Sequence, residues 1–124
     1  MGKILIVDDF PDNIFLLQEI VELIGYDAES RENGEQAVDA VRNNTYDVVF
    51  MDIEMPVMNG FEATEEIRTL LVEPACKVPI VAISAHSHQF FEDKINKVGF
   101  DDYISKPYTL EKVKKSLQKL NLIT

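Results

Sequence analysis

Apolar positions recur along the chain in two alternating rhythms. Residues 3–8 open with a short β-branched run, Ile4-Leu5-Ile6-Val7, stopped by Asp8 and Asp9. Such a run reads as a buried central strand. Pro11 suits a first helical turn, where its missing N–H costs nothing, and Asp12 favours the helix dipole there. Ile14, Leu17, Val21 and Ile24 then return at helical spacing, joined by Leu16, Ile20 and Leu23, up to a C-terminal stop at Gly25. Residues 26–31 form a shorter, more polar strand, expected near a sheet edge. Asn33-Gly34 reads as a turn. Residues 35–43 read as a short helix with Ala37, Val38 and Val41 inward, and residues 44–46 as a loop. Val48-Val49-Phe50-Met51 runs straight into Asp52 as a third strand. Asn59-Gly60-Phe61-Glu62 has the spacing of a capping box, opening a helix to about Leu71. Residues 73–77, with Pro74 inside, read as a loop. Residues 78–83 read as a fourth strand stopped by Ser84, and residues 87–98 as a helix ended by Gly99. At least one of Phe90 and Phe91 should be core, since neighbouring helical residues point about 100° apart. Residues 101–105 form a last short strand, ended by Lys106-Pro107. The final helix shows Leu110, Val113, Leu117 and Leu120 on one face, with Lys112, Lys114, Lys115 and Lys119 largely off it.

This order is β-α repeated five times with short connections, which predicts an α/β fold: a parallel five-stranded sheet, doubly wound, with helices on both faces. Strand order 2-1-3-4-5 puts the topological switch point between strands one and three, and ligands of open α/β sheets bind beside such points at the carboxyl ends of the strands. Asp8 and Asp9 leave strand one there and Asp52 leaves strand three. An acid at the tip of a buried strand is a costly place for a charge, so Asp52 is the first candidate for a working residue.

The totals narrow the choice. A chain of 124 residues with 46% hydrophobic content is one domain, spanning residues 1–124, with a single real core. The net charge of −10 argues against binding to nucleic acid or to an anionic membrane. The lone Cys76 forms no internal disulfide, and two histidines with one cysteine make no zinc set. The first apolar run is too short for a signal peptide or a membrane span, so a cytoplasmic location is expected.

Three carboxylates without a counter-charge raise one another's pKa values, and a divalent ion relieves them. Hard oxygen ligands suit Mg²⁺, which prefers a few carboxylates together with a phosphate. One acid is then available as a nucleophile toward phosphorus, giving an aspartyl phosphate. That chemistry needs charge stabilisation more than proton transfer, and two other strand tips offer it, the Ser84 hydroxyl and the Lys106 ammonium. On the same reasoning, Asn at position 8 or 9 is expected to stabilise the ion-free protein by on the order of 1 kcal/mol.

With these residues in place, the chain resembles a response-regulator receiver domain over essentially its whole length. The likeness is carried by Asp8-Asp9 after Ile-Leu-Ile-Val and by Asp52 followed by Met55-Pro56 and Asn59-Gly60. It continues in Ser84-Ala85 and in Asp102-Tyr103-Ile104-Ser105-Lys106-Pro107. The wording is most like receivers of hybrid sensor kinases, and free-standing receivers share it. The resemblance implies a flavodoxin-like receiver fold whose Asp52 takes a phosphoryl group from a phosphohistidine. The donor is a sensor histidine kinase or a histidine phosphotransfer protein. It implies that Asp9, Asp52 and the backbone carbonyl of Glu54 ligate Mg²⁺, with Asp8 acting through a water. Lys106 then pairs with the phosphoryl oxygens. Ser84 and Tyr103 act as the switch that reshapes the face of helix four, strand five and helix five toward a downstream protein target. Glu54 and His86 tune loss of the phosphoryl group to water, and the Lys106-Pro107 bond is cis. Such a module is an acceptor rather than an enzyme. A phosphatase with an aspartate nucleophile needs a second acid two residues on; the pair here is Asp52-Ile53-Glu54, after a different strand and with no following Thr, which disfavours it. A phosphorylation-independent interaction module of the same fold is the alternative, disfavoured because every acid and the lysine are present. A chain of this length is expected to be either a free-standing receiver or a piece of a larger sensor kinase.

Overall fold

The computed structural model describes residues 2–85 and 88–124. Among them, strands β1 (Lys3–Val7), β2 (Asp27–Arg31), β3 (Val48–Asp52), β4 (Ile80–Ser84) and β5 (Asp102–Ser105) alternate with helices. These are α1 (Pro11–Ile24), α2 (Gly34–Asn43), α3 (Gly60–Leu70), α4 (His88–Val98) and α5 (Leu110–Lys119). All strand pairs are parallel, in the order β2-β1-β3-β4-β5. This is the doubly wound sheet expected from the alternation, with the polar strand β2 at an edge.

Side chains alternate across the strands, and so divide the core in two. Ile4 and Ile6 of β1 and Val48 and Phe50 of β3 pack with Leu17, Val21, Val113 and Leu117 of α1 and α5. Leu5, Val7, Val49 and Met51 pack on the other face with Ala37, Val41, Ala63 and Ile67 of α2 and α3. By the same alternation Asp8 and Asp52 both fall on the α1–α5 side. The register pairs Val7 with Met51, so these two acids stand side by side one step further on.

The helix ends follow local chemistry. Pro11 occupies the first turn of α1, and Gly25 ends that helix in the left-handed region at φ 117°. Asn59 and Glu62 form the expected capping box at α3. Gly60 there is required by close approach, because a Cβ would lie 2.4 Å from the Asp52 carbonyl oxygen.

Several expectations shift. Asn33-Gly34 is the start of α2, the Asn33 side chain accepting the Gln36 N–H at 2.9 Å. The span 73–77 contains a 3-10 turn at Ala75–Lys77. The fourth strand starts at Ile80 rather than Val78, since Pro79 has no N–H for the ladder. Leu16, Leu23 and Leu110 are exposed, at 43%, 78% and 41%. The apolar stripes of α1 and α5 are wider than the surface the sheet can cover. His86 and Ser87, and the side chains of residues 88–91, lie outside the described residues. The rate-tuning expectation for His86, the Ser87 start of α4 and the core expectation for Phe90 and Phe91 fall there.

Candidate functional site

The acids gather at the carboxyl end of the sheet. Asp8, Asp9 and Asp52 each offer a carboxylate oxygen within 4.8 Å of the others. Asp8 and Asp52 are almost wholly buried and Asp9 is exposed. Lys106, the first residue past β5, reaches across. Its Nζ lies 3.1 Å from Asp52 Oδ2 and 3.5 Å from Asp8 Oδ2. The Lys106 N–H donates to the Ser84 carbonyl at 2.8 Å, which holds the start of this loop against β4. The Lys106-Pro107 bond is cis.

Each buried carboxylate has further donors. Asp52 Oδ1 accepts the Glu54 N–H at 2.9 Å. Asp8 Oδ1 accepts the Phe10 N–H at 2.9 Å and its Oδ2 accepts the Tyr108 hydroxyl at 3.1 Å. Tyr108 was not legible as a site residue. Its only sequence signal is its place two residues past Lys106. Burial, followed by the charges of Asp8 and Asp52, pushes its hydroxyl pKa well up, so it stays a donor.

Burial, more than repulsion between the acids, sets the charge state of Asp52. Burial pushes Asp52 from 3.8 up to about 6. The Glu54 N–H opposes the rise, Asp8 adds to it and Lys106 opposes it. Burial works against the Lys106 ammonium too, but Asp52 and Asp8 outweigh it and raise its pKa. Asp8 instead sits among Lys106, Tyr108 and the Phe10 N–H. Asn at position 8 would lose those charge-assisted bonds, a cost that runs against the stabilisation expected from removing the charge there.

Ser84 ends β4, one strand further along, and its Oγ donates to Glu54 Oε1 at 3.4 Å. Tyr103 also hydrogen-bonds Ser84, and burial raises its pKa. Glu54, Ser84 and Tyr103 therefore form one polar chain beside the acid cluster. The Ser84–Glu54 contact is one that sequence reading did not anticipate.

The loop joining Asp52 to α3 is tightly turned. Val57 has φ 69°, and the Met58 N–H donates to the Pro56 carbonyl at 2.8 Å. A β-branched residue in this region carries about 1–2 kcal/mol of strain. Val57 is 76% exposed, so little packing is lost on truncation. Val57→Gly is expected to raise stability by about 0.5–1 kcal/mol, after the added freedom of the unfolded chain is subtracted. Calorimetry would show this as a higher melting temperature, and an unchanged or lower one would contradict it.

A doubly wound α/β domain with acids at its switch point, and a lysine reaching them from the end of β5, is also the architecture of solved CheY-like receivers. The chain belongs to the response regulator receiver domain family, whose sequence profile matches residues 4–118. It is similar to the sensor protein GacS of Pseudomonas syringae pv. syringae, 40% identical over 106 residues. That match covers 85% of this chain and 12% of that protein, so the chain spans about an eighth of its length. The receiver domain of sensor histidine kinase PA1611 from Pseudomonas aeruginosa, with magnesium coordinated in its active-site cleft, superposes with TM-score 0.85. It is 32% identical, and the match covers 94% of each chain. Response regulator TrrA from Thermotoga maritima, in complex with Mg²⁺ and beryllofluoride, superposes with TM-score 0.83. It is 33% identical, covering 97% of this chain and 99% of that one. This is a receiver domain of two-component signalling, homologous to receiver domains of histidine kinases. Among the described residues, no helix is long and apolar enough to cross a membrane.

Proposed function

We propose that the whole chain, residues 1–124, acts as a phosphoacceptor in a two-component phosphorelay, with Asp52 as the acceptor. The observation that carries this is the gathering of Asp8, Asp9 and Asp52 within 4.8 Å, with Lys106 Nζ 3.1 Å from Asp52. The donor set fits Mg²⁺, since it offers hard oxygen atoms only, one of them on an exposed carboxylate. Asp9, Asp52 and the Glu54 backbone carbonyl would hold the ion, with Asp8 acting through a water. Bound there, it supplies positive charge that offsets the carboxylates and the charge developing on the transferring phosphoryl oxygens.

The partner is a sensor histidine kinase or a histidine phosphotransfer protein. An Asp52 oxygen attacks the phosphorus of its phosphohistidine. The O–P bond forms as the N–P bond breaks, and the imidazole nitrogen leaves with the electron pair. Lys106, already beside Asp52, meets the incoming phosphoryl oxygens. Ser84 turns from Glu54 toward the phosphoryl group and Tyr103 follows, which reshapes the α4–β5–α5 face toward a downstream protein. Glu54, two residues past the acceptor, bears on how fast water removes the group, as does His86.

Intact-mass measurement tests the reading. With Mg²⁺ and a small acyl phosphate, the protein is expected to gain one phosphoryl mass, and with chelator none. A wild type that stays unmodified overturns the proposal. Mg²⁺ alone is expected to raise the melting temperature by mass action, by about 2.7 kcal/mol of stability at a hundred times its dissociation constant. Equal melts with Mg²⁺ and with chelator would mean that the acids hold no ion.

A further inference from the structure

Tyr108 carries a hydroxyl into the α1–α5 half of the core. The residue is 6% exposed and belongs to the cluster that holds Ile104, Val113 and Leu117. A phenylalanine would fill the same space with no polar group to desolvate. The hydroxyl needs a reason of its own, and its partner is Asp8 Oδ2 at 3.1 Å, 100 positions away. Tyr108 stands between the end of β5 at Ser105 and Thr109, whose side chain caps α5 by accepting the Lys112 N–H at 3.1 Å. Strand and cap together give the hydroxyl a set place beside the acids.

Asp8 is held from two sides. Its Oδ1 accepts the Phe10 N–H of its own loop at 2.9 Å, and its Oδ2 accepts Tyr108. Lys106 Nζ is 3.5 Å from that same Oδ2 and 3.1 Å from Asp52 Oδ2. One bond to each oxygen fixes the rotation of the carboxylate. Without the hydroxyl, the carboxylate can pivot about the Phe10 N–H, and Oδ2 is left to Lys106 alone. The ammonium is then drawn from Asp52 toward Asp8. Groups that hydrogen-bond the carboxylates of a metal site set their orientation, and losing one costs about 10–100-fold in affinity. Mg²⁺ is sensitive to such a loss, because it demands near-ideal octahedral geometry.

We propose that Tyr108 is a positioning residue of the acid site: its hydroxyl holds the Asp8 carboxylate in the one rotation that serves Mg²⁺ and leaves Lys106 to Asp52. This role rests on the reading of the acids as a magnesium site, and adds the residue that orients Asp8. A hydrogen bond also draws charge from a carboxylate, so losing it would by that effect alone tighten the hold on a cation. Asp8 acts through a water, so direction outweighs charge, and the sign of the change separates the two.

Mg²⁺ titrations of the full chain, followed by amide chemical shifts at constant ionic strength, test the role. Tyr108→Phe is expected to bind Mg²⁺ about tenfold more weakly than wild type, the low end of the range because the hydroxyl acts one bond further out. Tyr46→Phe is the control. Tyr46 also donates to a carboxylate, Glu29 at 2.6 Å, but it precedes β3, at the end of the sheet opposite the acids. Its loss should leave Mg²⁺ affinity unchanged whatever it does to stability. In the Asp8→Ala protein, adding Tyr108→Phe should change the affinity by less than about twofold, since the carboxylate it orients is gone. With a small acyl phosphate, the Mg²⁺ concentration that half-saturates phosphoryl gain should rise in Tyr108→Phe by the same factor as the dissociation constant, with the saturated rate little changed. Equal or tighter Mg²⁺ binding by Tyr108→Phe overturns the role. So does the same weakening with and without Asp8, or from Tyr46→Phe. A wild type that takes no Mg²⁺ overturns the magnesium reading as well, whereas a wild type that binds it no better than Tyr108→Phe overturns the role of Tyr108 alone.

Discussion

Arg68→Met is expected to destabilise the protein by about 3 kcal/mol. Arg68 leaves α3 with its side chain only 19% exposed. Its Nε donates to the Gly99 carbonyl at 3.1 Å, and its Nη1 to the carbonyls of Cys76 and Val78 at 3.0 and 2.7 Å. Its Nη2 meets Asp101 Oδ2 at 3.0 Å, and that oxygen also accepts the Ile80 N–H at 2.8 Å. One guanidinium thus ties α3, the 3-10 turn, the entry to β4 and the α4–β5 turn at the amino end of the strands. Met keeps the stem but leaves three carbonyls and a carboxylate to find water in a half-buried place. For a domain of this size about 1 kcal/mol moves the melting temperature by roughly 4 °C, so a fall near 12 °C is expected. Arg68→Lys should recover less than half of it, because an ammonium lacks the planar fork that reaches all four acceptors. A melting temperature within 2–3 °C of wild type, roughly the size of an ordinary surface change, would refute the account. Mg²⁺ binding should be unaffected, since the clamp lies at the end of the sheet opposite the acids.

How far the sequence could be read follows from which contacts are local. β1, β3 and β4 are apolar runs ended by Asp8, Asp52 and Ser84, so the rhythm of the chain alone places those groups at one rim. The capping box at Asn59 and the stop at Gly25 are likewise local signals, complete within four residues. Arg68 and Tyr108 carry no such signal. A single arginine on an amphipathic helix reads as solvated surface, and its acceptors are carbonyls of distant turns that no side-chain pattern encodes. Tyr108 meets Asp8 from 100 positions away. Leu23 and Leu110 fail the other way, because an apolar stripe states what could be buried and the sheet decides how much is.

Asp52→Asn is expected to remove phosphoryl acceptance completely and to make the ion-free protein more stable near neutral pH. Loss of acceptance follows because an amide nitrogen replaces one carboxylate oxygen and the charge that makes the other nucleophilic is gone. The stability change follows from burial. The carboxyl titrates at about 6 in the folded chain against 3.8 for an ordinary aspartate. An acid whose pKa is raised by folding favours the native state only where it is protonated. Its ionisation therefore costs nothing below pH 3.8, costs increasingly as pH rises between 3.8 and about 6, and costs its full amount above that. Two units correspond to about 3 kcal/mol, and partial solvation and the lost Lys106 partner reduce the expected gain of Asn to about 1–2 kcal/mol. Asn has no charge to bury, so the variant's advantage in chelator should be greatest near neutrality and shrink toward zero as pH falls to about 4. Mg²⁺ should reverse the order, since it rewards the carboxylate that the variant has lost. Urea melts of both proteins at several pH values, with chelator and with Mg²⁺, read all of this in one series. An advantage that ignores pH, or one that survives saturating Mg²⁺, would mean that Asp52 is neither the strained acid nor a ligand of the ion.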